Sequence, residues 1–196
     1  MATGSPLTIG QAARRAAAWE WAEGRLYQVA GSWARASAAA SCKLYFDSAS
    51  QHHAWRARLW HERLRGRLVQ AYSAGADGGP AVQPLGQAGP PSSDAEQAAL
   101  ALLSLEGDAG RVAAHCRVVL SRSVAGYRAW QEVCGPSADR PIARALGMAL
   151  ADVVADWQEG SKLLSLLLDR GGGPALKEAV SASAGADAAL FGWGFW

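Results

Sequence analysis

The sequence predicts an all-α protein, and three observations carry that reading. The strand-forming residues are scarce: there are two Thr and two Ile, and Val is scattered. Ala, Leu, Arg, Gln and Glu dominate the patterned segments, which is helix composition. Apolar residues then recur at alternating spacings of three and four, the period of a helix with one buried face.

Helix 1 is expected from about residue 8 to residue 33. Thr8 is placed to cap it, and Gln11, three residues on, completes a capping box. Trp19, Ala22, Leu26, Val29 and Trp33 form its inner stripe. Helix 2 is expected over about 38–69. Cys42, Phe46, Ala49, His53, Ala57, Trp60, Leu64 and Leu68 fall within a narrow arc at about 100° per residue. Residues 73–93, SAGADGGPAVQPLGQAGPPSS, are rich in Gly and Pro and read as a long crossover.

Helix 3 starts near Asp94 and breaks at Glu106-Gly107-Asp108. Asp108 is placed to cap its main part, which runs to about Cys134. Val112, Cys116, Val119, Ser123, Tyr127, Trp130 and Cys134 face inward. Helix 4 opens at Asp139-Arg140-Pro141. Its stripe is Ile142, Leu146, Ala149, Val153, Asp156, Gly160, Leu163 and Leu167, and Gly171-Gly172-Gly173-Pro174 stops it. The chain therefore divides into a bundle over residues 1–170 and a flexible Gly/Ala-rich tether over 171–196. That tether ends in an aromatic tip of Phe191, Trp193, Phe195 and Trp196, which is expected either to fold back onto the bundle or to dock into a partner. Short connections make helices 1–2 and 3–4 antiparallel pairs, joined by one long crossover.

With 196 residues the chain can bury a core of ordinary size. Its net charge of +2 is too small to imply nucleic acid as a partner. No apolar run reaches the length of a membrane span, and the first residues carry no secretory pattern. Cys42, Cys116 and Cys134 are an odd count without CxxC spacing, so a reducing cytoplasm is expected.

The stretch QHHAWRARLWHERL at 51–64 concentrates the chemistry. His53 and Asp156 lie mid-stripe on two helices, so a buried hydrogen-bonded pair is expected, with Ser123 or Glu23 beside it. His52 and His61 fall to either side and read as boundary residues. Arg56, Arg63 and Arg67 lie on an arginine-rich face, a solvated surface or a patch for an anion or acidic partner. Trp55 and Trp157 fall off the stripes and are expected to line a lateral groove.

The segments GSWARA (31–36), HHAWRARLWHERL (52–64) and RPIARALGMALADVVADWQEG (140–160) give the chain a texture that resembles the ferritin-like superfamily, in particular its degenerate actinobacterial members. The resemblance spans about residues 8–170 and implies a ferritin-like antiparallel four-helix bundle. Family enzymes hold two irons with a Glu from two helices and Glu-x-x-His from the other two. Here Ser50 precedes His53 by three and Ala49 precedes His52 by three, while 152–155 and 153–156 lack histidine. No helix keeps the motif, so no di-iron centre is expected.

The function expected first is a non-enzymatic scaffold, accessory or cargo-like binding protein, homo-oligomeric, with the aromatic tail available to a protein partner and no cofactor. The alternatives are an oxidoreductase binding iron, manganese or zinc through Glu23, His53 and Asp156, with His115 or Asp152 as a further ligand, and a small-molecule binder with a Trp/His-lined pocket.

Overall fold

The computed structural model describes residues 7–64, 90–135 and 140–191. Every element among them is helical, and none is a strand. Helix α1 spans Ile9–Ala36 and α2 spans Ala40–Leu64. The Thr8–Gln11 capping box is formed: the Thr8 hydroxyl accepts from the Gln11 N–H at 3.2 Å, and the Gln11 side chain accepts from the Thr8 N–H at 2.8 Å. The three-residue turn at 37–39 folds α2 back along α1, and the two helices pack extensively against each other.

After the crossover, α3 (Ser93–Leu103) is capped by the Ser92 hydroxyl. Helix α4 (Asp108–Ala113) leads without interruption through a π-helical turn (Ala114–Val119) into α5 (Leu120–Glu132). Gly107, at φ 73°, makes the bend between α3 and α4. Asp108 does not cap its own helix. Its carboxylate accepts from the N–H groups of Ala38 and Ala39, at 3.2 and 2.7 Å, and so closes the open end of α2.

Helix α6 spans Arg140–Phe191, with a non-helical residue, Gly172 (φ 56°, ψ −141°), inside it. Gly160 packs against Cys116, whereas Glu178 packs against Gly110 and Asp187 pairs with Arg122. The chain therefore reverses at Gly172, and the arm 173–191 returns alongside α4 and α5. This corrects the expected tether. Residues 173–191 are helical, and Ala179, Ala182, Ala186 and Leu190 are buried at spacings of three and four. The run of small side chains that suggests a tether lets the helix approach closely: a Cβ on Gly110 would lie 3.1 Å from the Ala182 methyl. Phe191, which ends the arm, is 82% exposed. Trp193, Phe195, Trp196, Arg67 and Leu68 lie outside the described residues.

The predicted stripes are the core. Trp19, Ala22, Leu26, Val29 and Trp33 of α1 are buried, as are Cys42, Phe46, Ala49, Ala57 and Trp60 of α2. Val112, Cys116, Val119, Tyr127 and Trp130 meet Ile142, Leu146, Ala149, Val153 and Leu163 from the first arm of α6. No helix among the described residues is long and apolar enough to cross a membrane.

Candidate functional site

A polar cluster interrupts this core. Glu23, His53, Arg56, His115 and Asp156 are all buried, and they come from α1, α2, the π-helical turn and α6. Arg56 is at the centre with 0% exposure. Its Nε donates to Glu23 Oε2 at 3.0 Å, and its Nη1 donates to Asp156 Oδ2 at 3.0 Å and to Asp152 Oδ2. One guanidinium thus gathers three carboxylates from two helices. Burial opposes its charge, but Glu23, Asp156 and Asp152 hold it firmly protonated. Arg56 is not the surface residue its place in an arginine run suggests. It lies three residues after His53, near enough to the inner face for its long stem to turn in.

Burial alone would raise the Glu23 carboxyl, yet Arg56, His53 and Tyr127 bring it down to about 2. Glu23 is therefore ionised, and its charge sets the direction of a chain of hydrogen bonds. His53 Nδ1 lies 2.5 Å from Glu23 Oε2, and the carboxylate favours a proton on that nitrogen. Burial and the neighbouring Arg56 lower the His53 pKa, so the ring is neutral and Nε2 is an acceptor. His115 Nε2, 3.0 Å away, then donates to His53 Nε2. Burial, His53 and Arg56 push the His115 pKa well down, so its Nδ1 is bare. Tyr45, whose hydroxyl burial holds well above its ordinary pKa, donates to that nitrogen at 2.7 Å. From the other side, Tyr127 donates to Glu23 Oε1 at 2.7 Å and Trp60 Nε1 donates to Tyr127 at 3.1 Å. The series Tyr45–His115–His53–Glu23–Tyr127–Trp60 is thus joined end to end by hydrogen bonds, and Arg56 Nη2 also lies 2.8 Å from His53 Nδ1.

Two backbone features build this chain. The π-helical turn adds a residue to the coil, so that His115 and Cys116 both face the interior. Gly160 leaves room for the Tyr45 ring: a Cβ there would strike the Tyr45 hydroxyl and lie 2.8 Å from Cys116 Cβ.

The structure rearranges the pairing expected from sequence. His53 and Asp156 are both buried but do not bond to each other, because Arg56 stands between them. Asp156 instead accepts from His52 Nδ1 through Oδ1 at 2.6 Å. His52 is therefore part of the site, although half-exposed. Ser123 is buried but takes no part, since its hydroxyl donates to the Val119 carbonyl of its own helix at 3.0 Å. His61 is not a boundary residue. It is buried and bonds Glu20 at 3.0 Å, as a separate pair between α1 and α2.

Glu23, His53 and Asp156 do not fit a metal ion. Each carboxylate already faces the Arg56 guanidinium, which holds the position a cation would take, and a dication there would meet a fixed positive charge. A di-iron centre fits no better, because the carboxylate bridges it needs are spent on the same arginine. A different trio, His52, Asp152 and Asp156, brings three donor atoms within 4.8 Å of one another on the outer side of the cluster. No protein-family model, curated protein or solved structure matches this chain.

Sequence reasoning reaches Glu23, His53 and Asp156 because stripes predict burial. It reaches His115 only as a possible further metal ligand, and it misses Arg56, Tyr45 and Tyr127 as partners. His115 immediately precedes the striped Cys116, and only the π-helical turn brings both inward.

Proposed function

We propose that this chain is a non-catalytic, ferritin-like helical bundle that works through its outer surface, as an accessory or cargo-like binding protein assembled from like subunits. The observation carrying this reading is the buried guanidinium of Arg56 among Glu23, Asp152 and Asp156. An ammonium or guanidinium supplied by the chain neutralises those carboxylates, so the interior needs no metal to be stable. The remaining polar groups are bonded to one another, and His53, His115 and Tyr127 have no exposed surface to offer a substrate. The exposed Phe191 at the end of α6 fits a protein partner reached through the tail.

The test is elemental mass spectrometry on protein purified without chelators or metal-affinity resin. The expected result is far less than one equivalent of iron, manganese or zinc. One or more equivalents, lost in both His53→Ala and Asp156→Asn, would overturn the reading in favour of a metal-dependent oxidoreductase. A second reading rests on the His52–Asp152–Asp156 trio: a single cation at the rim that competes with Arg56 Nη1 for Asp152 and Asp156. It requires one equivalent that disappears in His52→Ala and survives in His53→Ala.

A further inference from the structure

The outer junction of α2 with the first arm of α6 forms an open groove of about 520 Å³. Trp55, Leu59 and Met148 are the large apolar side chains that line it. Leu59 is buried, while Trp55 and Met148 remain 39% and 44% exposed. Large apolar side chains left side by side in water at a junction of two helices mark a binding surface more often than isolated ones do.

The rim is basic. Arg58 and Arg63 of α2 and Arg144 of α6 line the same groove, against one acid, Glu62. Glu62 already accepts from Arg58 Nε at 3.0 Å, so it neutralises neither of the others. Arg63 and Arg144 have no ion pair among the described residues, and Arg63 Nε is buried without a hydrogen-bond acceptor. The sequence between α2 and α3 is a poor complement: residues 65–89 hold Arg65 and Arg67 against Asp77 alone.

We infer that this groove receives an acidic amphipathic helix from a partner protein, its apolar anchors set on Trp55 and Met148 and its carboxylates paired with Arg63 and Arg144. The inference deepens the surface-binding reading above and rests on it. Two antiparallel helical walls with apolar side chains between them suit the helix-in-groove mode, in which anchors recur at i, i+3 and i+4. Methionine adapts its shape to the anchor, and tryptophan supplies a large contact at low entropy cost. The arginines supply direction and rate: a basic rim selects an acidic partner and repels a basic one. Arginine is also suited to bidentate pairing with carboxylates.

The probe is a fluorescein-labelled 18-residue peptide with Leu at i, i+3 and i+4 positions and Glu elsewhere, read by anisotropy against the full chain. A control peptide carries Lys in place of Glu. Saturable binding of the acidic peptide alone is expected, weakening with added salt. The Arg63→Glu/Arg144→Glu variant and Trp55→Ala should each weaken it by about tenfold or more, with helix content unchanged by circular dichroism. Equal binding of both peptides, or no loss in the double variant, overturns the inference. So does binding of phosphatidylglycerol vesicles that the same double variant abolishes, since the surface is then a lipid site. These failures leave a metal-free protein metal-free, whereas stoichiometric metal lost in both His53→Ala and Asp156→Asn overturns the non-catalytic reading without touching the groove.

Discussion

Arg56 has no exposed surface and three carboxylate partners, so its replacement leaves buried charge with nothing opposite it. Arg56→Met, which keeps much of the side-chain length, should destabilise the fold by about 3–5 kcal/mol in urea titration. Adding Glu23→Gln should recover part of that loss, because one of the stranded carboxylates is then gone. A loss below about 1 kcal/mol would mean that water reaches the cluster. Protonation gives an independent check. The Glu23 carboxyl sits at about 2 in the fold against 4.5 when free, and His53 and His115 are lowered from 6.5. All three take up protons more readily when unfolded. Their stabilising contribution is therefore complete above about pH 6.5 and declines below it. It falls more steeply from pH 4.5 towards 2, where Glu23 adds its share. Thermal melts across pH 2–8 should trace that slope, and Glu23→Gln should flatten its lower part. At this scale sequence spacing reveals which residues are buried. Partners are set by distances between helices, and so the expected His53–Asp156 pair gives way to one bridged by Arg56.

Individual helices were more readable than their ends. Stripes at spacings of three and four locate the buried faces of all four long helices, because helix geometry fixes which side chains share a side. The π-helical turn leaves no such mark, as its surroundings keep the same apolar texture. The Gly-Gly-Gly-Pro segment is read correctly as a stop, but the alanine-rich helix beyond it is mistaken for a tether. Its stripe of Ala179, Ala182 and Ala186 carries almost no hydrophobic contrast. Two glycines within the first arm of α6 allow a paired test. Gly160→Ala forces a methyl against Tyr45 and Cys116 and should cost about 1–3 kcal/mol in chemical denaturation. Gly147→Ala meets nothing within 4 Å and should raise stability by about 0.5–1 kcal/mol through helix propensity alone. Equal effects at the two positions would show that Tyr45 can move aside.

For the whole molecule, the helix order and the all-α class follow from the sequence, since composition and period agree along the chain. The second arm of α6 adds a layer that this order does not reveal. It fixes α4 and α5 from outside: Glu178 accepts from the Gly110 N–H at 2.7 Å, and Arg122 of α5 binds Asp187 at 2.7 Å. Its seat therefore depends on one reversal, at Gly172, whose φ of 56° and ψ of −141° suit glycine alone. An arm that leaves and returns by a single residue can return to another molecule instead. Straightening α6 would carry residues 173–191 away from their own α4 and offer the same contacts to a neighbour's, a domain swap. Pro174 opposes this, because a continuous helix would place it in the interior, at a cost of about 3 kcal/mol. Gly172 and Pro174 together thus keep the exchange closed. Gly172→Ala/Pro174→Ala should elute at twice the mass of the parent chain in size-exclusion chromatography, and an unchanged mass would show that the arm's own contacts suffice to hold it at home.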